Sequence, residues 1–177
     1  MEHKLFDLDQ YAACARQVVA EGCVLLKNDR DALPLRKGAK IALFGRSQYN
    51  YYKSGTGSGG MVNVRHVVDI PEALGTSYAV NQQVRSAYEA WLQDHPYDSG
   101  SGWGGEPWVQ EEMPLDDALI RQAAEDSDAA VIVLGRSSGE DQDNKPEPGS
   151  FLLTALEEDM LRKVCGSFQR SIVLLNV

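Results

Sequence analysis

Ala129-Ala130-Val131-Ile132-Val133-Leu134-Gly135 is an unbroken apolar run closed by a glycine. A strand with one wet face alternates apolar and polar side chains. Continuous apolarity instead describes a strand covered on both faces, the usual condition of a parallel sheet in α/β proteins. Two further runs share this character: Lys40-Ile41-Ala42-Leu43-Phe44-Gly45 and Ser171-Ile172-Val173-Leu174-Leu175-Asn176-Val177. The first two of the three end alike, in Phe44-Gly45-Arg46-Ser47 and Leu134-Gly135-Arg136-Ser137, as two strands terminating in the same way.

Helical patterns separate the runs. Asp7-Leu8-Asp9-Gln10 resembles a capping box, and Leu8, Tyr11, Ala12, Ala15, Val18, Val19 and Gly22 trace one buried helix face. Asn28 to Asp31 followed by Leu33-Pro34-Leu35 reads as a turn and an extended edge. Val84, Ala87, Tyr88, Trp91 and Leu92 mark a second helix, and Leu115, Leu119, Ile120 and Ala123 a third. A fourth starts at the capping box Thr154-x-x-Glu157 and carries Leu156, Met160, Leu161, Val164 and Phe168. Alternating helix and strand predict a layered α/β/α sandwich with a mainly parallel sheet, as a single domain over residues 1–177. The apolar ending at Val177 carries the expectation of a domain cut from a longer enzyme.

Composition narrows the functions. The 177 residues are 43% hydrophobic, enough for one core, and carry a net charge of −9. That charge, with Lys and Arg scattered, excludes nucleic acid as the expected partner. No apolar run reaches membrane-spanning length, and the N-terminus lacks the apolar stretch of a signal peptide, so a cytoplasmic protein is expected. Cys14, Cys23 and Cys165 form no C-x-x-C pair and no metal-like spacing with the histidines. They read as reduced, buried thiols, with neither metal nor cofactor expected.

Ligands of open α/β sheets bind beyond the carboxyl ends of strands, which directs attention to Gly135-Arg136-Ser137-Ser138-Gly139-Glu140-Asp141-Gln142-Asp143-Asn144-Lys145. This stretch satisfies G-x-S-x-G, but no histidine follows His95 to serve as a base, so a serine hydrolase is disfavoured. Two glycine-rich stretches, Ser54 to Gly60 and Ser99 to Gly105, are candidate functional loops. Gly55, Gly57 and Gly60 formally satisfy G-x-G-x-x-G, yet no strand precedes and no helix follows, so a dinucleotide site is disfavoured too. In or beside the second loop, Trp103 and Trp108 could offer indole faces to sugar rings; packing is the expected role of at least one.

Several segments resemble, in order, the second domain of family 3 glycoside hydrolases, the β-glucosidase type. Cys14-Ala15-Arg16-Gln17 through Glu21-Gly22-Cys23-Val24-Leu25-Leu26-Lys27-Asn28, then Leu33-Pro34-Leu35, is similar to the segment that opens that domain. Lys40 to Gly45 resembles its first core strand, Gly55-Thr56-Gly57-Ser58-Gly59 its glycine loop, and Ser138-Gly139-Glu140 its S-G-E motif. Leu153-Thr154 with Glu157, and Val173 to Val177, resemble its final helix and strand. The chain departs from the common S-G-E-G-x-D-R pattern at Asp141 and Asn144.

The resemblance implies that Glu140 is the acid/base of a retaining exo-β-glycosidase. Its nucleophile would be an aspartate on a (β/α)8 barrel domain of the same chain, and its substrate a terminal β-linked glucoside or oligosaccharide. Gly57, Ser58, Ser138, Arg136 and Trp103 are then the expected substrate contacts. The acid must carry its proton when substrate binds; Asp141 and Asp143 favour that state by like-charge repulsion, whereas a nearby Arg136 or Lys145 would oppose it. The isolated chain is expected to be inactive, and a homo-oligomer remains compatible with the sequence. The competing reading is a non-catalytic carbohydrate-binding or scaffolding module, against which the retained Ser138-Gly139-Glu140 stands.

Overall fold

The computed structural model describes residues 7–60, 63, 64, 66–140 and 142–177. The chain divides into two compact units, Met1–Pro34 and Leu35–Val177.

In the first unit, helix α1 spans Leu8–Gly22, with the Asp7 carboxylate accepting from the backbone N–H groups of Asp9 and Gln10. The apolar face read from the sequence is present but uncovered: no residue of α1 is buried, and Tyr11, Val18 and Val19 are exposed. Periodicity reports which side chains share a face, and nothing in the period says whether a neighbour covers it. The turn after α1 closes on Asn28, whose carboxamide bonds both the N–H and the C=O of Leu33 at 2.9 Å.

The second unit is built on four parallel strands, β1 (Lys40–Phe44), β2 (Ala79–Val80), β3 (Ala129–Gly135) and β4 (Ser171–Asn176), in the order β2-β1-β3-β4. Every residue of β3 is buried, as its unbroken apolarity requires. The strands that end alike, β1 and β3, lie side by side, Leu43 opposite Val131 and Phe44 opposite Ile132. The sheet is flanked by α2 (Ile70–Gly75), α3 (Gln82–Asp94), α4 (Asp117–Glu125) and α5 (Ala155–Ser167). Side-chain caps from Asp69, Asn81, Asp116 and Thr154 satisfy backbone donors that the first turns leave open. At α5 the capping box is reciprocal, with Glu157 accepting from the Thr154 N–H at 2.8 Å. One core gathers Ala42, Phe44, Ala130, Ile132 and Leu134 from the sheet with Val84, Tyr88, Ile120, Met160 and Val164 from α3, α4 and α5.

The expected α/β sandwich with a parallel sheet is therefore the observed fold. The sequence reading missed β2, only two residues long, and the six-residue α2, both too short to show a period. Leu156, assigned to the packed side of α5, is exposed. The three cysteines, expected to be buried, are exposed as well. Among the described residues no helix is long and apolar enough to cross a membrane.

Candidate active site

Because β1 and β3 are neighbours and parallel, the segments that follow them emerge at the same edge of the sheet. The glycine loop follows β1 and Ser138-Gly139-Glu140 follows β3, and the two interlock. The Thr56 N–H donates to the Ser138 carbonyl at 3.0 Å, and Thr56 and Gly139 form a parallel bridge. This approach requires glycine at 139, where an added Cβ would lie 2.4 Å from the Thr56 carbonyl oxygen. It requires glycine at 57 for two reasons: φ is +92°, and an added Cβ would come within 2.6 Å of the Glu140 Cβ.

Glu140 is exposed at the end of this interlock. Its Oε2 accepts from the Ser58 hydroxyl at 3.2 Å and from the Ser58 N–H at 3.4 Å. Three expected site residues, Gly57, Ser58 and Glu140, thus come together from positions some 80 residues apart in sequence. Ser138 belongs to the same interlock through its backbone carbonyl.

Arg136 leaves the set of expected sugar contacts. Its five N–H donors are all engaged: Nε with the Ser150 carbonyl, Nη1 with Gly135 O and Glu157 Oε1, and Nη2 with Leu152 O and Glu157 Oε2. The ion pair is enclosed, its side chains 10% and 2% exposed. Lys145 extends over the Trp108 ring, 5.1 Å from its centre, so among the described residues neither cation is paired with Glu140. The expected influence of Asp141 lies outside the described residues. Asn144, at one of the departures from the family pattern, accepts from the Ser150 hydroxyl at 3.5 Å.

A cavity of about 810 Å³ opens between the two glycine-rich loops. Gly55, Thr56 and Gly57 line it from one side, Trp103, Gly104 and Glu106 from the other. Trp103 is 54% exposed, whereas the half-buried Trp108 uses its backbone carbonyl to accept from the Ser137 N–H. Packing thus claims one tryptophan and leaves the other open to solvent. The wall formed by Tyr52 is fixed by β4, since the Asn176 carboxamide bonds both the N–H and the C=O of Tyr52 at 2.7 and 3.1 Å.

Beneath the site lies a buried polar cluster that the sequence reading did not single out. Glu112 accepts from the N–H groups of Arg46 and Met113 and from the Tyr88 hydroxyl. Tyr88 in turn accepts from the Gly45 N–H at 2.8 Å. Burial outweighs these bonds and pushes the Glu112 carboxyl up to about 7. The Arg46 guanidinium, set against Trp91, holds the carbonyls of His95 and Glu111. The only available signal was a Glu embedded in the apolar-flanked Glu112-Met113-Pro114-Leu115, too weak to assign. No group of three or more His, Cys, Asp or Glu among the described residues is arranged to hold a metal ion.

A parallel α/β sandwich is the architecture that the sequence resemblance led us to expect, and direct comparison agrees. Residues 23–177 match the glycosyl hydrolase family 3 C-terminal domain, and the chain belongs to that family. It is 53% identical to a β-glucosidase of Ruminococcus albus over 97% of its length and 32% identical to β-glucosidase A of Butyrivibrio fibrisolvens over 98%. It spans 18% and 22% of those two relatives, about a fifth of their length. Among solved structures, a β-glucosidase from Paenibacillus barengoltzii superposes with a TM-score of 0.91 at 44% identity, over 94% of this chain and 18% of that one. β-Glucosidase 3B from Thermotoga neapolitana in complex with α-D-glucose gives 0.84 at 34% identity, over 97% and 24%.

Proposed function

We propose that this chain is the acid/base-bearing domain of a retaining exo-β-glycosidase acting on terminal β-linked glucosides, with Glu140 as the acid/base. The observation that carries the proposal is the placement of Glu140, exposed at the strand-end edge and oriented by Ser58 from the glycine loop. With Oε2 held by Ser58, Oε1 is the oxygen offered to the glycosidic oxygen. A retaining mechanism needs a second carboxylate about 5 to 5.5 Å away to attack the anomeric carbon. We assign that nucleophile to an aspartate on a (β/α)8 barrel domain of the same polypeptide. The relatives' names support the activity, and their greater length supports a further domain.

In this scheme Glu140 protonates the departing oxygen, the barrel aspartate forms the glycosyl intermediate, and Glu140 then draws a proton from the incoming water. The chain alone is inactive because it holds one of the two carboxyls. Glu140→Gln in the full-length enzyme tests the role. Cellobiose, with its poor leaving group, should be hydrolysed at least about 100-fold more slowly. An aryl glucoside whose phenolate departs without a proton should lose less in its glycosylation step. Undiminished cellobiose hydrolysis would overturn the assignment.

A further inference from the structure

Phe44-Gly45-Arg46-Ser47 and Leu134-Gly135-Arg136-Ser137 echo each other in space as well as in sequence. After each of the neighbouring strands β1 and β3 an arginine turns away from solvent and donates to main-chain carbonyls further along the chain. Arg136 takes those of Ser150 and Leu152; Arg46, 2% exposed, takes His95 O at 2.9 Å and Glu111 O at 3.1 Å. His95 and Glu111 are sixteen residues apart and form the two ends of the segment that carries the second glycine-rich loop. The same neck is crossed by the His95 ring and the Glu111 carboxylate at 3.0 Å, and by Gln110, whose carboxamide bonds the N–H and the C=O of Asp98, each at 2.8 Å. None of the described residues between these ends is in a helix or strand, so these few bonds fix where the segment lies. Its far part grips the acid's segment on both sides of Glu140: Trp108 O accepts from the Ser137 N–H at 2.8 Å, and Glu106 O from the Gln142 carboxamide at 2.6 Å.

We propose that Arg46 is a positioning residue for Glu140, its guanidinium clasping both ends of the 95–111 segment so that the Glu106 and Trp108 carbonyls hold the acid's segment from either side. The inference rests on the reading of Glu140 as the acid. A guanidinium is a rigid planar fork that can hold two separate carbonyls at once, a geometry that the point-like ammonium of lysine does not match. Enclosed from water, such charge-assisted bonds are stronger than their solvated counterparts. The Arg46 N–H is itself held by the buried Glu112 carboxylate at 2.8 Å, and the guanidinium lies over the Trp91 ring of α3. The clasp is therefore anchored to the end of β1 and to a helix, not to the loop that it holds.

Acid catalysis tolerates little misplacement, about 1 Å costing on the order of 100-fold, but it matters only where the leaving group needs a proton. In the full-length enzyme, Arg46→Lys should therefore lower kcat/KM for cellobiose about tenfold and leave that for dinitrophenyl β-glucoside within about twofold, while the amides of residues 96–110 exchange faster with deuterium. A smaller fraction of folded enzyme would depress both substrates alike. Gln142→Met cuts the same chain of contacts at its other end and should show the same split between substrates even if Arg46→Lys does not fold. The double variant should lose less than the product of the two single losses, because both changes act through one segment. Equal losses on both substrates, native kinetics in both variants, or losses that multiply would overturn the role. A Glu140→Gln enzyme that still hydrolyses cellobiose, with the amides of 96–110 exchanging faster in Arg46→Lys, would instead overturn the acid assignment and reduce Arg46 to a clasp of the loop.

Discussion

Arg136 and Glu157 show how a single side chain is committed. Glu157 serves two partners at once, completing the capping box of α5 through the Thr154 N–H while neutralising a guanidinium that holds three backbone carbonyls. Removing it leaves an enclosed cation without its counter-charge, so Glu157→Ala should destabilise the chain by about 3 kcal/mol. Thr154→Ala, which deletes only a cap, should cost about 1 kcal/mol. Urea unfolding of both variants checks the order, and equal costs would contradict the role given to the ion pair. The sequence could not separate Arg136 from a sugar contact, because residue type near a strand end does not say which way five donors will turn. The exposed position of Glu140 after β3 was legible for the opposite reason. It stands in a three-residue motif with resembling segments in order on both sides, and that context carries more information than its charge.

At the scale of elements, the parallel strands were readable because two-sided burial leaves a compositional mark. Every residue of β3 that the pattern placed in the core is there. The glycine loop was readable as a loop, but its docking onto the Ser138 to Glu140 segment was not, since a bridge between Thr56 and Gly139 joins residues far apart in sequence. That docking predicts an unequal response to Gly57→Ala. The new methyl group would meet the Glu140 Cβ in a backbone conformation that L-residues rarely adopt, so the loop or the acid must shift. Cellobiose kcat/KM should fall by more than about tenfold while the melting temperature, set by a core elsewhere, changes by only a few degrees. A variant with native kinetics would show that the interlock does not position the acid. The face of α1 teaches the complementary lesson: its period was correct, and its expected burial was not.

For the molecule as a whole, the buried cluster around Glu112 links folding to pH. Its carboxyl sits near 7 in the fold against an ordinary 4.5, so the folded state holds a proton that the unfolded chain releases earlier. The stability contributed by this group is therefore complete below about 4.5 and is lost as pH rises through about 7. The groups that face it are the Tyr88 hydroxyl, the Arg46 and Met113 N–H groups and, at longer range, Glu157. Urea midpoints between pH 5 and 8 should show wild type losing ground to Glu112→Gln as pH increases; parallel curves would place the linkage elsewhere. The Asn176 carboxamide has a second kind of whole-molecule effect. By presenting an acceptor and a donor to the main chain of Tyr52, it imitates one more rung of the ladder beyond the edge strand. A loop tethered in this way inherits the slow breathing of the sheet, so the Tyr52 amide should exchange with deuterium on the schedule of β4 rather than of its loop neighbours.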